Sequence, residues 1–313
     1  VPNPVLWNGL KKPSLYCLHA ELKADGRVVD SADIPLGFRS ISIDGEKGFF
    51  LNGENIKLNG VAKHQDYDGV FNATNEEHWN QDIHDILEIG ANSVRLSHYQ
   101  HPQEMYRLCD EQGLIVWAEI RMLKMTESEA LLENACSQLE ELILQNIHHP
   151  SICFWGIQNE IAMFGENQGM YERVKRLGDL AKQLDPSRIS SCANLFCVKN
   201  DSVLNKLTEA VGYNIYFGWY YGEMKDSEAF VEKFHEDNPH IPLGITEYGV
   251  DCNLAFHSQD PKVKDYSEEF QALYHETVYP MFKSKPYIWG TYVWNLYDFS
   301  SEIRDEGGLK HKN

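Results

Sequence analysis

The sequence predicts an α/β chain whose main body is a (β/α)8 barrel, the TIM fold. Three observations lead there. From residue 54 onward, eight short apolar segments alternate with amphipathic ones. The alternation runs from there to residue 313, close to the ~250 residues such a barrel takes. No GxGxxG turn follows the first of these strands, as a doubly wound dinucleotide-binding sheet would usually show.

Residues 1–53 read as strands. Tyr16, Leu18, Ala20 and Leu22 alternate with Leu15, Cys17, His19 and Glu21, and Asp25-Gly26 gives a hairpin signal. Leu36 to Ile43, then Asp44-Gly45, then Phe49-Phe50-Leu51 before Asn52-Gly53 repeat the pattern. Three or four strands cannot close a sandwich, because their edges and one apolar face need a partner. The expectation is a partial β-domain over 1–45, continued by upstream residues of the same polypeptide, and a barrel over 46–313.

The barrel strands are placed at Ile56–Val61, Ser93–Ser97, Leu114–Ile120, Ile152–Gln158, Ile189–Ala193, Val211–Ile215, Leu243–Glu247 and Tyr287–Trp294. Helices are expected at 76–90, 103–112, 128–147, 169–184, 201–209, 226–237 and 262–283. The clearest is 128–147, where Leu131, Leu132, Ala135, Leu139, Leu142, Ile143 and Ile147 recur at helical spacing. Asp185-Pro186 and Asn238-Pro239 end two of them. Only polar sequence follows the eighth strand, so the closing helix is expected to be absent and the chain to be cut at both ends. An apolar seam is then expected beside the first and eighth strands.

Composition narrows the function. Lys and Arg number 28 and Asp and Glu 47, so the net charge is 28 − 47 = −19. A nucleic-acid backbone or an anionic membrane needs clustered cations, so neither is an expected partner. No run approaches the ~18 apolar residues of a membrane-crossing helix. Seven scattered Cys, with no CxxC or Cys/His zinc spacing, argue against a disulfide framework or structural zinc. His98 and His101 have no carboxylate beside them in sequence, and no metal or other cofactor is expected. Aromatics reach 12%, which suits a protein that stacks rings on flat apolar faces.

In such a barrel the chemistry sits at the C-terminal strand ends. The fourth strand ends Gln158-Asn159-Glu160 and the seventh Thr246-Glu247-Tyr248. Two carboxylates projecting into one mouth from nearly opposite strands are the equipment for splitting an acetal. One is protonated to donate to the leaving oxygen, and the other is ionised to attack the anomeric carbon.

These residues resemble family 2 glycoside hydrolases, the β-galactosidase and β-glucuronidase group. Leu58-Asn59-Gly60-Val61-Ala62-Lys63-His64-Gln65-Asp66 looks like the group's first strand, and Asn92-Ser93-Val94-Arg95-Leu96-Ser97-His98-Tyr99 like its second. Leu108 to Leu114 leads to the third, His149-Pro150-Ser151 introduces the fourth, and Trp289 to Asn295 through Asp298-Phe299 looks like the eighth. The resemblance spans residues 36–313. It implies that residues 1–45 are the last strands of an immunoglobulin-like β-sandwich. It also implies retention through a covalent glycosyl-enzyme, with Glu160 as acid/base and Glu247 as nucleophile, their carboxyls about 5–5.5 Å apart. Asn159 is expected to bind the sugar 2-hydroxyl, and Arg95 and Tyr216 to hold Glu247 ionised, while Glu247 raises the pKa of Glu160. His98, His64 and Asp66 are expected to contact sugar hydroxyls, and Trp294 to stack on the sugar, with Trp219 either a second stacking platform or the packing of a loop.

His64-Gln65-Asp66, His98-Tyr99-Gln100 and Glu306-Gly307-Gly308 look most like bacterial β-galactosidases. The main expectation is therefore an exo-β-galactosidase acting on an oligosaccharide or glycoside. The alternatives are a β-glucuronidase or other β-glycosidase of the group, and a non-catalytic sugar binder on a barrel. Glucuronidases of the group carry an Asn-x-Lys segment beyond the eighth strand, where this sequence ends at Asn313. Arg121, where many relatives carry Pro or Asn and a sugar-binding His, could instead pair with an acidic sugar. Homo-oligomerisation and compartment stay open.

Overall fold

The computed structural model describes residues 1–125, 127–302 and 304–308, the Glu306 side chain excepted. It opens with a ribbon of two antiparallel strands, β1 (Tyr16–Ala24) and β2 (Arg27–Leu36), with Tyr16 opposite Leu36. Asp25 and Gly26 both take positive φ, 49° and 75°, which is the geometry of a two-residue hairpin turn. The ribbon is exposed on both faces over most of its length, Leu18, Leu22, Val28 and Val29 included.

Next come β3 (Ile41–Asp44), β4 (Gly48–Leu51) and β5 (Glu54–Asn55), a small antiparallel sheet. Ile41 pairs with Leu51, so the β3–β4 hairpin lies on both sides of residue 45. Phe49 and Leu51 are fully buried.

Eight parallel strands then close into a barrel: β6 (Leu58–Lys63), β7 (Ser93–Leu96), β8 (Ile115–Glu119), β9 (Ile152–Asn159), β10 (Ile189–Leu195), β11 (Ala210–Asn214), β12 (Leu243–Tyr248) and β13 (Ile288–Val293). Gly290 of β13 lies against Leu58 of β6 and completes the ring. Each strand expected from the apolar runs is present, shifted at its ends by a residue or two.

Among the described residues six α-helices pack outside: α1 (Glu76–Glu88), α2 (Gln103–Gln112), α3 (Glu129–Asn146), α4 (Gln168–Leu184), α5 (Asp226–Asp237) and α6 (Glu268–Lys283). Asn75, Ser128, Asn167 and Ser267 cap four of them by accepting backbone N–H groups with their side chains. Two expected helices come out shorter. Residues 201–209 make only a 3-10 turn at Val203–Lys206, where the Asn205 amide donates to the carbonyls of Lys199 and Asn200 and competes with a helical ladder. The expected 262–283 helix starts at Glu268, because Lys264 and Tyr266 hold positive φ and Ser267 caps the helix after them.

No α-helix follows β13 among the described residues. Among the described residues the expected apolar seam is not there: neither β6 nor β13 carries a large exposed apolar side chain. Gly60 and Gly290 have no side chain to expose, and Tyr279 of α6 reaches across to Asn59 Oδ1 at 3.0 Å. No helix of the described residues is long and apolar enough to cross a membrane.

The barrel interior has two layers. At the N-terminal end, Trp117, Phe154, Trp289 and Tyr292 are fully buried. Phe154 stacks on Trp289 at 4.8 Å, and Phe49 of the small sheet meets Phe154 at 5.5 Å. At the C-terminal end the interior is charged and polar, and it opens to solvent.

Candidate active site

β9 turns sharply at its C-terminus. Glu160 takes φ 54°, a left-handed conformation uncommon for a residue with a side chain. Its N–H is held by the Ala193 carbonyl at 2.9 Å. Such strain gathers at functional positions. Glu160 and Glu247 line one cavity of about 270 Å³ together with His98, Asn159, Asn214, Tyr216, Trp294 and Arg304. Leu195, Phe196, Tyr220 and Tyr221 complete its wall.

A fully buried guanidinium, Arg95, lies beneath this cavity. Its Nη1 donates to Glu247 Oε1 at 2.8 Å and to the Thr246 carbonyl at 2.9 Å, and its Nη2 to Asn159 Oδ1 at 2.8 Å. Its Nε donates to Glu119 Oε1. The Tyr216 hydroxyl donates to the other Glu247 oxygen at 2.7 Å. Burial, reinforced by the Glu247 charge, pushes the Tyr216 hydroxyl well above its ordinary pKa, so it stays a donor. Glu247 is thus bonded at both oxygens, by Arg95 on one and by Tyr216 on the other.

Glu160 is held differently. It accepts a side-chain hydrogen bond from Asn214 Nδ2 at 2.9 Å, and the same amide reaches Asn159 Oδ1 at 3.1 Å. Its pKa is raised to about 7, first by burial and second by the charge of Glu247. The charge of Glu247, the cause expected from the sequence, is the smaller of the two.

His98 stacks on Trp294 at 5.2 Å with an 11° interplanar angle. Its Nδ1 bonds Glu119 Oε2 at 2.9 Å, and its Nε2 lies 3.9 Å from Glu247 Oε1. His64 and Asp66 are not brought into the cavity. His64 packs behind it against Phe299, Trp294 and His98. Burial first, then the neighbouring His98, lowers its pKa to about 3. Asp66 accepts the Ser300 N–H at 2.6 Å and lines a neighbouring groove. They lie one and three residues beyond the end of β6, where the loop turns away from the axis. Trp219 packs on Phe270 of α6, and Arg121 is exposed and outside the cavity. His101 turns to the Ser97 carbonyl. The Glu306 side chain and residues 309–313, with Asn313, lie outside the described residues.

Glu119, Asn214 and Arg304 were not singled out in the sequence. Each of the first two is the last residue of its strand in the structure, as Asn159 is of β9, but stands one residue inside the strand read from the sequence. Arg304 follows β13 in a loop without periodicity.

The description "Glycosyl hydrolases family 2, TIM barrel domain" matches residues 41–307, and "Glycosyl hydrolases family 2" matches residues 1–39. The chain belongs to glycoside hydrolase family 2. Among its relatives in the family, a β-glucuronidase of Bacteroides fragilis is 38% identical, over 98% of this chain and 45% of its own length. The crystal structure of an FMN-binding β-glucuronidase from Faecalibacterium prausnitzii superposes with a TM-score of 0.97 at 41% identity, covering 100% of this chain and 49% of that one. A Bacteroides uniformis β-glucuronidase covalently bound to cyclophellitol-6-carboxylate aziridine gives 0.94 at 32% identity, covering 99% and 39%. The chain therefore spans less than half the length of these relatives.

Proposed function

We propose that the protein is a retaining exo-β-glycosidase acting on β-glucuronides. The observation that carries the catalytic half is the asymmetry of the two glutamates. Glu160, raised to about 7, is protonated over much of the neutral range. Glu247, paired with Arg95 and bonded by Tyr216, is presented as a carboxylate. In the first step a Glu247 oxygen attacks the anomeric carbon, the bond to the aglycone oxygen breaks, and Glu160 passes its proton to that oxygen. In the second, Glu160 takes a proton from water, the water oxygen bonds to the anomeric carbon, and Glu247 leaves. The Asn159 amide oxygen is occupied by Arg95 and Asn214, which leaves the amide nitrogen to donate to the sugar 2-hydroxyl. The Trp294 ring, backed by His98, suits the apolar face of a pyranose.

For the sugar, the glucuronide reading draws its support from Arg304. It brings a guanidinium to the cavity wall, and such a group matches a carboxylate at C6 rather than the hydroxymethyl of galactose. The relatives named β-glucuronidase point the same way, against the β-galactosidase expected from the strand-end motifs. The galactoside reading keeps one support, a Bacteroides fragilis structure carrying a provisional β-galactosidase name at 40% identity. The exposed β1–β2 ribbon fits the edge of an immunoglobulin-like domain that would complete it.

The test is hydrolysis of 4-nitrophenyl glycosides by the full-length protein. A kcat/KM for the β-D-glucuronide well above that for the β-D-galactoside supports the proposal. The reverse order restores the galactosidase reading, and binding without turnover of either sugar supports the non-catalytic one.

A further inference from the structure

Glu119 has no place in the reaction just described, yet both of its oxygens are engaged in the barrel interior. It is 3% exposed, and it bonds the fully buried Arg95 on one oxygen and His98 on the other. The fold makes room for it: a Cβ on Gly156 of the next strand would fall 2.6 Å from Glu119 Cγ and 2.3 Å from Trp117 Nε1. Burial alone would raise its pKa, but the Arg95 guanidinium and the His98 ring outweigh that and hold it below the ordinary value.

One guanidinium facing two carboxylates needs a reason, because each buried charge costs desolvation. The catalytic cycle supplies one. When Glu247 becomes a glycosyl ester, it loses its negative charge. That charge moves to Glu160, which has given its proton to the leaving oxygen and which is bonded by Asn214, not by Arg95. Arg95 would then be a fully buried cation whose anion had vanished.

We propose that Glu119 is the permanent counterion of Arg95, a positioning residue that keeps the guanidinium compensated while Glu247 is esterified. In the resting site Arg95 is shared, which weakens its hold on Glu247 and leaves that carboxylate free to attack. In the intermediate it falls back on Glu119. The inference rests on the double-displacement reading.

It makes the two steps respond in opposite directions. With Glu119→Gln, Arg95 has Glu247 as its one carboxylate, so attack is slowed. The ester then faces an uncompensated cation, so departure of Glu247 as a carboxylate is accelerated. The experiment treats the full-length protein with 2-deoxy-2-fluoro-β-D-glucuronyl fluoride and follows labelling, then reactivation of the purified adduct. Labelling should slow and reactivation should quicken, each on the order of ten- to a hundredfold. Glu119→Asp, which keeps the charge, should restore much of both. Glu119→Gln should also lose more Tm on forming the adduct than the wild type does. If Glu119→Gln folds poorly, the Asp variant carries the test, with the same opposed shifts at smaller size.

Equal slowing of both steps, or no change in either, overturns the proposal while an adduct on wild-type Glu247 keeps the double displacement standing. Absence of any wild-type adduct removes the double displacement, and this inference with it.

Discussion

The two ends of the barrel interior are built from the same eight strands and differ in almost everything else. At the N-terminal end Trp117, Phe154, Trp289 and Tyr292 fill the bore with rings, and Phe49 and Leu51 of the small sheet close it from below. At the C-terminal end Arg95, Glu119, Asn159, Asn214 and Glu247 are nearly as buried but polar throughout. The lower layer is held by area and packing, which require volume and little else. The upper layer is held by a chain of directed bonds running from Glu160 through Asn214, Asn159 and Arg95 to Glu247. Stability and chemistry are thereby assigned to opposite ends of one set of strands.

If that division is real, damage to one end should leave the other intact. The largest effect is expected from Glu247→Ala and Glu160→Ala. Each should lower kcat on unactivated glycosides by roughly 10³-fold or more with Tm barely reduced. Glu160→Ala should keep a slow, azide-rescued turnover of an activated aryl glycoside. Loss of folding in either variant, seen by circular dichroism, would erase the distinction.

Trp289→Ala is the converse experiment. Removing a fully buried indole from the lower layer should cost about 3–5 kcal/mol, measured by urea unfolding. KM and kcat well below the transition should stay within a few-fold. A collapse of kcat in the folded variant would mean that the layers are coupled.

A subtler difference is in titration. The Glu160 pKa of about 7 should set the basic limb of the kcat/KM profile, since activity needs its protonated form. In Glu247→Gln the Glu160 pKa, followed by carboxyl NMR, should fall but stay above the ordinary range, because burial is the larger cause and remains. A return to the usual carboxylate value would assign the shift to Glu247 instead.

The smallest effect follows from linkage. Because Glu160 binds its proton more tightly in the folded state than unfolded, its contribution to stability is present below about pH 4.5 and is lost as pH rises towards 7. Glu160→Gln should therefore gain Tm relative to the wild type above pH 7 and lose that gain in acid. A constant difference across pH would contradict the sign.

How much of this was legible in the sequence follows the same division. The strands were readable because fully buried parallel strands are short apolar runs, as in Ile152–Ile157 and Leu243–Ile245. Glu160 and Glu247 were readable because each ends such a run. Glu119 is the last residue of β8, but in the sequence it stands inside the run Leu114–Ile120, and nothing marks it until Arg95 is placed beside it. His64 and Asp66 were drawn in by sequence proximity to β6, although the loop after Lys63 carries them off the axis. The bounds of the two helices that came out shorter depended on local side-chain competition at Asn205 and Ser267, which hydrophobic periodicity does not report.

The central claim is that Glu247 is the nucleophile in a double displacement. Full-length protein inactivated with a 2-fluoro-β-glucuronyl fluoride, digested and sequenced by mass spectrometry, should carry one sugar on the peptide containing Glu247. A sugar found on another residue, or turnover of that reagent without any adduct, would contradict the account.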